Sequence, residues 1–169
     1  MSSQLNDNAY LRNSLDDYQV FHCAQRLTET CFLINDERPD PDFPGRIEGL
    51  AQGVYHYDPK HHQLMKTSAG DLRDALTRAA LSQGWIKHAS AVIVFTADYE
   101  RTTKKYGKRG KCYVHIEVGQ AAQNLFLQSE SIGYATVVVG AFNDDEVARL
   151  LRLPADLQPL LLMPVGRKK

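Results

Sequence analysis

The sequence predicts a single domain that combines helices and strands, of either the α+β or the α/β class. The chain has 169 residues, 43% of them hydrophobic, which is enough to bury one sizeable core. Strand patterns alternate with helix patterns, but a hairpin and connections of varied length interrupt any regular βαβ repeat. Neither an internal repeat nor a low-complexity tract is visible in the sequence. Pattern alone therefore leaves both classes open.

The N-terminal part of the chain predicts little regular structure. Residues 1–13 are polar and lack periodicity, which indicates a loose arm. Ser14 then precedes a segment, 15–27, in which an apolar residue recurs at every third position, so we expect a helix that ends near Glu29. Three prolines and four acidic residues within 35–45 predict an irregular, exposed connection.

A hairpin and a helix are predicted next. Residues 53–67 show the alternating pattern of a β-hairpin, with a turn at Asp58-Pro59 where the proline dihedral is already set. The apolar spacing over 72–80 predicts a helix, with a capping box that begins at Ser68 and a C-terminal stop at Gly84.

The following segment predicts a buried strand and a short polar helix. Trp85 and Ile86 are expected to pack under the preceding helix, and 91–95 is a continuous apolar run typical of a strand covered on both faces. Asp98 begins the polar helix. Six basic residues lie within 101–111, and they form either a solvated face or an anion-binding rim.

The stretch 105–142 predicts a long central helix and then a buried strand. Gly133 follows the helix, where a left-handed cap requires a residue without a Cβ atom. The run 135–139 is small and β-branched, as in a strand covered on both faces. The apolar residues that recur at spacings of three and four on the helix are Val114, Val118, Ala121, Ala122, Leu125 and Phe126.

The last segment predicts a helix and a strand. Asn143 is expected to cap a helix whose first turn, 144–146, is acidic, so this helix start would repel a phosphate. A final strand is predicted over 159–163, followed by a basic tail.

Charge and cysteine usage exclude several classes. Twenty basic and twenty acidic residues balance, so no long-range attraction to nucleic acid or anionic lipid is expected. No apolar run of about 18 residues and no leader peptide is present, which favours a soluble, cytoplasmic protein. Cys23, Cys31 and Cys112 form no CxxC pair, and an odd number argues against a disulfide scaffold.

Several catalytic motifs are missing. The sequence contains no GxGxxG or GxxxxGK phosphate loop and no GxSxG elbow. The six histidines are scattered or adjacent, and adjacent residues on a strand point to opposite faces, so no metal site is expected.

Three segments in order, GKRGKCYVHIEVGQAAQNLFL, SIGYATVVVGAFNDDEV and LPADLQPLLLMPVGR, resemble the SagB-type dehydrogenases within the nitroreductase-like flavoproteins. The resemblance runs from about Gly53 to the C-terminus, which divides the chain into an atypical segment, 1–52, and a nitroreductase-like domain, 53–169. It implies the α+β class, with a mixed, mainly antiparallel sheet flanked by helices, in a version shortened at its N-terminus. It also implies a homodimer with FMN at the subunit interface and the central helix in the dimer core.

The resemblance further implies site residues. Gly140 and Ala141 would bring backbone N–H groups close to the flavin ring, although an ordinary strand-to-helix turn is the alternative. Arg167 stands where the family places a basic residue that reaches the flavin phosphate; the alternative is a frayed terminus. Lys105 and Tyr106 match the proton-transfer pair of the azoline-oxidising members, with a solvated lysine and a packed tyrosine as the alternative.

We therefore expect an FMN-dependent oxidoreductase that transfers hydride between flavin and a small-molecule or peptide substrate. Two family motifs, an Arg-Ser-x-Arg-like phosphate segment and a Pro-Ser-x-Gly-like loop over the ring, do not occur before Gly53. A shortened enzyme that binds FMN weakly, a remnant that no longer binds it, and one piece of a site completed by another chain all remain open. The alternative function is a flavin-free dimeric binding or regulatory protein.

Overall fold

The computed structural model describes residues 29–35, 50–59 and 61–167. The predicted arm, the predicted helix over 15–27 and residues 36–45 of the predicted connection over 35–45 lie outside the described residues. The described part contains six strands and five helices in the order β1 (Glu29–Asn35), β2 (Gly53–Asp58), β3 (Gln63–Ala69), α1 (Arg73–Ala79), α2 (Trp85–His88), β4 (Ala91–Ala97), α3 (Tyr99–Tyr106), α4 (Arg109–Ser131), β5 (Tyr134–Thr136), α5 (Asp144–Leu151) and β6 (Gln158–Arg167).

The strands form one sheet in the order β3-β2-β1-β4-β6-β5, and every pairing between the described strands is antiparallel. This arrangement confirms the α+β class. β1 lies within the sheet, with β2 on one side and β4 on the other. β1 is not among the predicted elements, although the apolar run over 30–34 is typical of a strand. The division of the chain at Gly53 stays a prediction.

Each face of the sheet carries its own core. One core joins β2, β4 and β6 to α1, α2 and α5, and it includes Leu76, Ile86 and Leu162, each fully buried. The other core joins β4 and β6 to α4, and it includes Phe95, Val118 and Met163. We call these the α1/α5 face and the α4 face.

The predicted central helix is confirmed as α4. Five of the six predicted apolar positions are buried, whereas Phe126 is 39% exposed. Gly133 has a φ of 83°, as its predicted role as a left-handed cap requires. The two side-chain caps are also confirmed: the Asp98 Oδ1 accepts the Glu100 N–H at 2.9 Å, and the Asn143 Oδ1 accepts the Glu146 N–H at 3.0 Å.

The hairpin β2–β3 is confirmed, but the capping box after it is wrong. Ser68 lies in β3, and the N-cap of α1 is Leu72, which makes no side-chain capping bond. The Asp71 carboxylate instead accepts the Arg73 N–H at 2.9 Å and the Arg73 Nε–H at 3.0 Å. The guanidinium of Arg73 also donates to the Ala89 carbonyl. Asp71 therefore holds a buried arginine in place instead of completing a capping box.

The predicted end of this helix at Gly84 is also wrong. α1 ends at Ala79, and Leu81 and Ser82 adopt positive φ angles of 55° and 62° in the turn that follows. Gly84 is the residue before α2 and has a φ of −61°. Ile86 is fully buried as expected, but Trp85 is 52% exposed because only one side of this single-turn helix faces the core.

The strand predicted over 135–139 is mostly wrong. β5 is shorter and lies at the edge of the sheet, where it pairs with β6 alone. Val137 and Val138 are 44% and 46% exposed, and only Val139 is buried, in an isolated bridge to Leu162. An edge segment has no second strand to cover it, so its apolar run does not imply burial on both faces.

Two further findings complete the fold. β6 is longer than the predicted strand over 159–163, and it includes Arg167, whose partner residue in β5 is Tyr134. None of the helices in the described ranges is both long enough and apolar enough to span a membrane.

Candidate functional site

A cleft of about 380 Å³ opens on the α4 face, between α4 and the β6 strand. Its volume lies in the range of small-molecule sites, which is roughly 300 to 1,000 Å³. Most of the lining is apolar, and the side chains of His115 and Gln123 are the polar groups. The lining residues are His115, Val118, Gly119, Ala122, Gln123, Val138, Leu160 and Leu161.

Small residues on α4 provide the space for this cleft. A Cβ atom built on Gly119 would have no neighbouring atom within 4 Å, so this turn of the helix faces open space. Ala122 lies one turn further along the same side and adds only a methyl group. A helix with larger side chains at these two positions would close the cleft.

A β-bulge forms the opposite wall. Leu161 is paired with Phe95 and Pro159 with Thr96, so Leu160 is an extra residue on β6. Bulges redirect side chains, and here Leu160 and Leu161 both pack against the core of the α4 face. Two consecutive leucines therefore line the same cleft.

Gly140 and Ala141 lie at the edge of this cleft. A Cβ atom on Gly140 would be 3.8 Å from the Leu161 Cδ2, which places Gly140 beside a lining residue. Two hydrogen bonds join this segment to α1 and the turn after it. The Gln83 Nε2 donates to the Ala141 carbonyl at 2.9 Å, and the Asn143 N–H donates to the Ala79 carbonyl at 2.8 Å.

The backbone donors of this edge are free to bind a ligand. Within the described part of the chain, the N–H groups of Gly140 and Ala141 have no protein acceptor. Both residues are exposed, so water satisfies these groups until a ligand replaces it. Two adjacent N–H donors beside an apolar cleft can stabilise negative charge that develops on a ring.

Arg167 lies on the same face of the sheet, at a distance from Gly140. Leu162 belongs to the core of the α1/α5 face and Met163 to the core of the α4 face. Side chains alternate along a strand, so Arg167 is on the face of Met163. Leu162, which forms a bridge to Val139, and Arg167, which pairs with Tyr134, are five residues apart on β6. This separation is about 17 Å. A single ligand must therefore be elongated to contact both Gly140 and Arg167.

Lys105 and Tyr106 do not line the cleft. Both are exposed at the end of α3, with the Lys105 Nζ 5.2 Å from the centre of the Tyr106 ring. Tyr106 packs edge to face on Tyr113, at 5.2 Å between ring centres. Tyr113 and His115 are two residues apart on α4 and so project about 200° apart around the helix. The structure therefore does not bring this pair together with Gly140 or Arg167 within one chain.

The predicted basic cluster is an exposed surface. Its lysines and arginines are all exposed, and Lys104 pairs with Glu100 at 3.1 Å. Besides Lys105, two more of these cations lie over aromatic rings: Arg109 is 5.5 Å from the centre of the Tyr113 ring and Lys111 is 5.7 Å from that of Tyr99. Cation–π contacts of this kind contribute about 0.5 to 1 kcal/mol each at exposed sites.

Sequence reasoning missed a pair of side chains at the cleft. The Tyr99 hydroxyl and the His115 Nε2 are hydrogen-bonded at 2.6 Å, and their rings meet edge to face. Burial raises the pKa of Tyr99, and the negative charge of Asp144 raises it further, so Tyr99 stays a neutral phenol. The available signal was helical spacing, because His115, Gly119 and Gln123 recur at intervals of four.

Glu117 is a second titratable group on α4 that the cleft does not use. Its Oε2 is buried and has no hydrogen-bond partner among the described residues. Burial raises the pKa of Glu117. Among the described residues, no cluster of three His, Cys, Asp or Glu side chains is placed to hold a metal ion.

Comparisons with known proteins agree on one family. The sequence profile of the nitroreductase family matches residues 43–167. A protein of Methanocaldococcus jannaschii assigned to the nitroreductases is 46% identical over 122 residues, which cover 72% of this chain and 61% of that relative. The chain therefore spans less than two thirds of that relative's length.

Solved structures show the same fold. A protein of Anabaena variabilis assigned to the nitroreductases matches with a TM-score of 0.74 and 27% identity, over 84% of this chain and 27% of that chain. The NADPH:FMN oxidoreductase of Vibrio harveyi, in complex with NAD+, matches with a TM-score of 0.50 and 27% identity, over 57% of this chain and 46% of that chain. These similarities confirm the nitroreductase-like α+β fold.

Proposed function

Because the chain belongs to the nitroreductase family of oxidoreductases, we propose that it binds FMN in the cleft between α4 and β6 and transfers hydride between the flavin and an organic substrate. The observation that carries this proposal is the pair of free N–H donors at Gly140 and Ala141 beside an apolar cleft. A flavin ring requires an apolar slot, and its reduced anionic form is stabilised by donors at the ring edge. The similarity to an NADPH:FMN oxidoreductase supports the same cofactor.

Arg167 is proposed as a contact for the flavin phosphate. It lies on the cleft's face of the sheet, at about 17 Å along β6 from the Gly140 end. FMN is elongated, with its ring and its phosphate at opposite ends, so a separation between the ring edge and the phosphate contact is required. A guanidinium can bind two phosphate oxygens at once.

A homodimer is part of the proposal. α4 carries exposed apolar side chains on its outer side, with Ile116 50% exposed and Leu127 57% exposed. Gly119 and Gln123 of the cleft lie between them on the same helix, so a second copy packed on α4 would also cover the cleft. Lys105 and Tyr106 would then serve a flavin site only across the subunit boundary.

The finer assignment is a cytoplasmic SagB-type dehydrogenase. The three sequence segments quoted above support this subgroup, and the Lys105-Tyr106 pair is the element that would take part in proton transfer with a small-molecule or peptide substrate. When bound, FMN supplies the hydride chemistry. The chain's own residues hold the phosphate, exclude water from the ring and donate hydrogen bonds to it.

Titration of the full chain with FMN tests the proposal. Flavin fluorescence should be quenched on binding, and thermal stability should rise by about 2.7 kcal/mol at a ligand concentration of 100 Kd. Arg167→Ala should weaken binding by about tenfold or more, since a charge-assisted hydrogen bond contributes roughly 1.5 to 3 kcal/mol. Arg78→Ala, which removes an exposed arginine from α1, is the matched control.

The outcomes separate the alternatives. An unchanged FMN affinity in Arg167→Ala would remove this residue from the site but leave the cleft assignment intact. A colourless protein whose stability does not respond to FMN would contradict the proposal, and it would favour a flavin-free dimeric binding or regulatory protein.

A further inference from the structure

His115 is the one titratable residue among those that line the cleft in the described part of the chain. The other lining residues are apolar, or neutral in the case of Gln123. Transfer of a hydride to an acceptor adds two electrons and one proton nucleus, and an oxygen of the acceptor then requires a second proton. None of the other side chains that line the cleft can give up that proton.

Tyr99 fixes the imidazole of His115 in one orientation. The Tyr99 hydroxyl is 2.6 Å from the Nε2, which leaves the Nδ1 as the nitrogen available to a ligand. A phenol oxygen can both donate and accept, so this hydrogen bond persists in both protonation states of the imidazole. The ring is therefore held in place while its charge changes.

The charged groups around the pair come from two elements, α4 and α5. Lys111, one turn earlier on α4, places its ammonium group 5.7 Å from the centre of the Tyr99 ring. The negative charge of Asp144, at the start of α5, contributes to raising the pKa of Tyr99. β6 and the segment after β5 contribute only apolar side chains to the cleft: Val138, Leu160 and Leu161. His115 is exposed, so water can restore its proton.

We propose that His115 is a catalytic residue that donates the proton to the electron acceptor during its reduction, and that Tyr99 is a positioning residue that orients the imidazole. A quinone is used as the probe acceptor, because its carbonyl oxygen takes up the second proton on reduction. This inference rests on the proposed function, since bound reduced FMN supplies the hydride.

The step balances for a quinone. One hydride from the flavin and one proton from the imidazolium convert the quinone to the hydroquinone. The Nδ1–H bond of His115 breaks and an O–H bond of the product forms. The neutral imidazole keeps its Nε2 proton, which it donates to the Tyr99 oxygen, and then regains a proton at Nδ1 from water.

The first test measures flavin reoxidation. The FMN-loaded protein is reduced anaerobically with dithionite and mixed with tetramethyl-p-benzoquinone, which has no free ring carbon for the exposed Cys112 thiol to attack. The rate for the unmodified chain should fall as the pH rises, because only the protonated imidazole can donate the proton. His115→Gln should be slower by about 100-fold at the acid end, and it should lack that fall.

Two further variants make this test specific. Tyr99→Phe should keep the pH dependence but lower the rate, because the imidazole of His115 remains but is no longer held in one orientation. His88→Gln, which removes an exposed histidine from α2, should retain the full profile. An unchanged profile in His115→Gln would overturn the proposal.

The second test needs no flavin. Nitrogen NMR of histidine labelled in the imidazole ring reports the protonation and hydrogen bonding of each ring nitrogen, and His115→Gln identifies the signals of His115. The Nε2 signal should change in Tyr99→Phe if Tyr99 orients the ring. Identical signals in the two proteins would refute the positioning role.

The two proposals fail in different ways. A chain that binds no FMN would overturn the proposed function and the donor role together. A chain that binds FMN and reduces the quinone equally well without His115 would overturn the donor role alone.

Discussion

The two faces of the sheet differ in how completely they are covered. On the α1/α5 face, side chains such as Leu76, Val92 and Leu162 are fully buried and the core is closed. On the α4 face, the core is partly open: Leu160 and Leu161 are only half-buried, and the cleft lies beside them. The sheet strands between the two cores are the same, so the difference arises from the helices.

The two faces therefore contribute differently to the stability and the function of the protein. Both cores contain valine, leucine and alanine, but α4 has Gly119 and Ala122 where larger side chains would fill the groove. Its outer side also leaves Ile116 and Leu127 exposed. We infer that the α1/α5 face stabilises the fold and that the α4 face is available to FMN and a second subunit.

The largest expected effect comes from filling the cleft. Gly119→Phe should abolish FMN binding, because its ring would occupy the open space that Gly119 faces. Gly119→Ala is the matched control: it should preserve the affinity and raise stability by about 0.8 to 1 kcal/mol, the difference in helix propensity. Calorimetric titration with FMN measures both. Tight binding by Gly119→Phe would show that the flavin lies elsewhere.

The next effect concerns the closed core. Leu162→Ala should lower the unfolding free energy by about 2 to 5 kcal/mol, because it leaves a cavity in a fully buried site. Leu161→Ala, one residue away on the open face, should cost less, since its side chain already borders the cleft. Urea unfolding without FMN measures the two values. Equal losses would mean that the two faces contribute alike.

A smaller effect is expected at the outer side of α4. Leu127→Glu places a charge where the proposed second subunit packs, and it should shift the protein from dimer to monomer in sedimentation experiments. Leu81→Glu, which changes an exposed leucine beyond α1, is the control and should leave the assembly unchanged. A monomeric unmodified chain would contradict the assignment of this surface.

The smallest effect is a change in the pH dependence of stability. Burial raises the pKa of Glu117 in the folded state, so the folded chain binds more protons than the unfolded chain, and stability falls as the pH rises through the carboxyl's range. Glu117→Gln removes this loss, and the variant should melt about 2 °C higher near neutral pH but not in acid. Melting curves at several pH values test this, and a constant difference would contradict it.

Local rules predicted α4 and the N-terminal caps of α3 and α5 well, but they failed at both ends of α1. The apolar stripe of α4, the cap at Gly133 and the side-chain caps at Asp98 and Asn143 each depend on residues within one or two turns. Such short-range features can be recognised in the sequence because no distant partner decides them.

Features that depend on distant partners could not be predicted. The position of β1 inside the sheet depends on pairing with β2 and β4, and the exposure of Val137 and Val138 depends on β5 being an edge. The bulge at Leu160 and the Tyr99–His115 contact also require the fold to be known. The roles of Gly140, Ala141, Arg167, Lys105 and Tyr106 stay predictions that binding experiments decide.

A crystal structure of the chain grown with FMN is the most direct test of a flavin site on the α4 face. We predict yellow crystals in which the ring contacts Val138 and Leu161, accepts hydrogen bonds from the Gly140 and Ala141 N–H groups, and extends its phosphate to Arg167. Colourless crystals with water in the cleft, or a flavin bound to the α1/α5 face, would contradict the account.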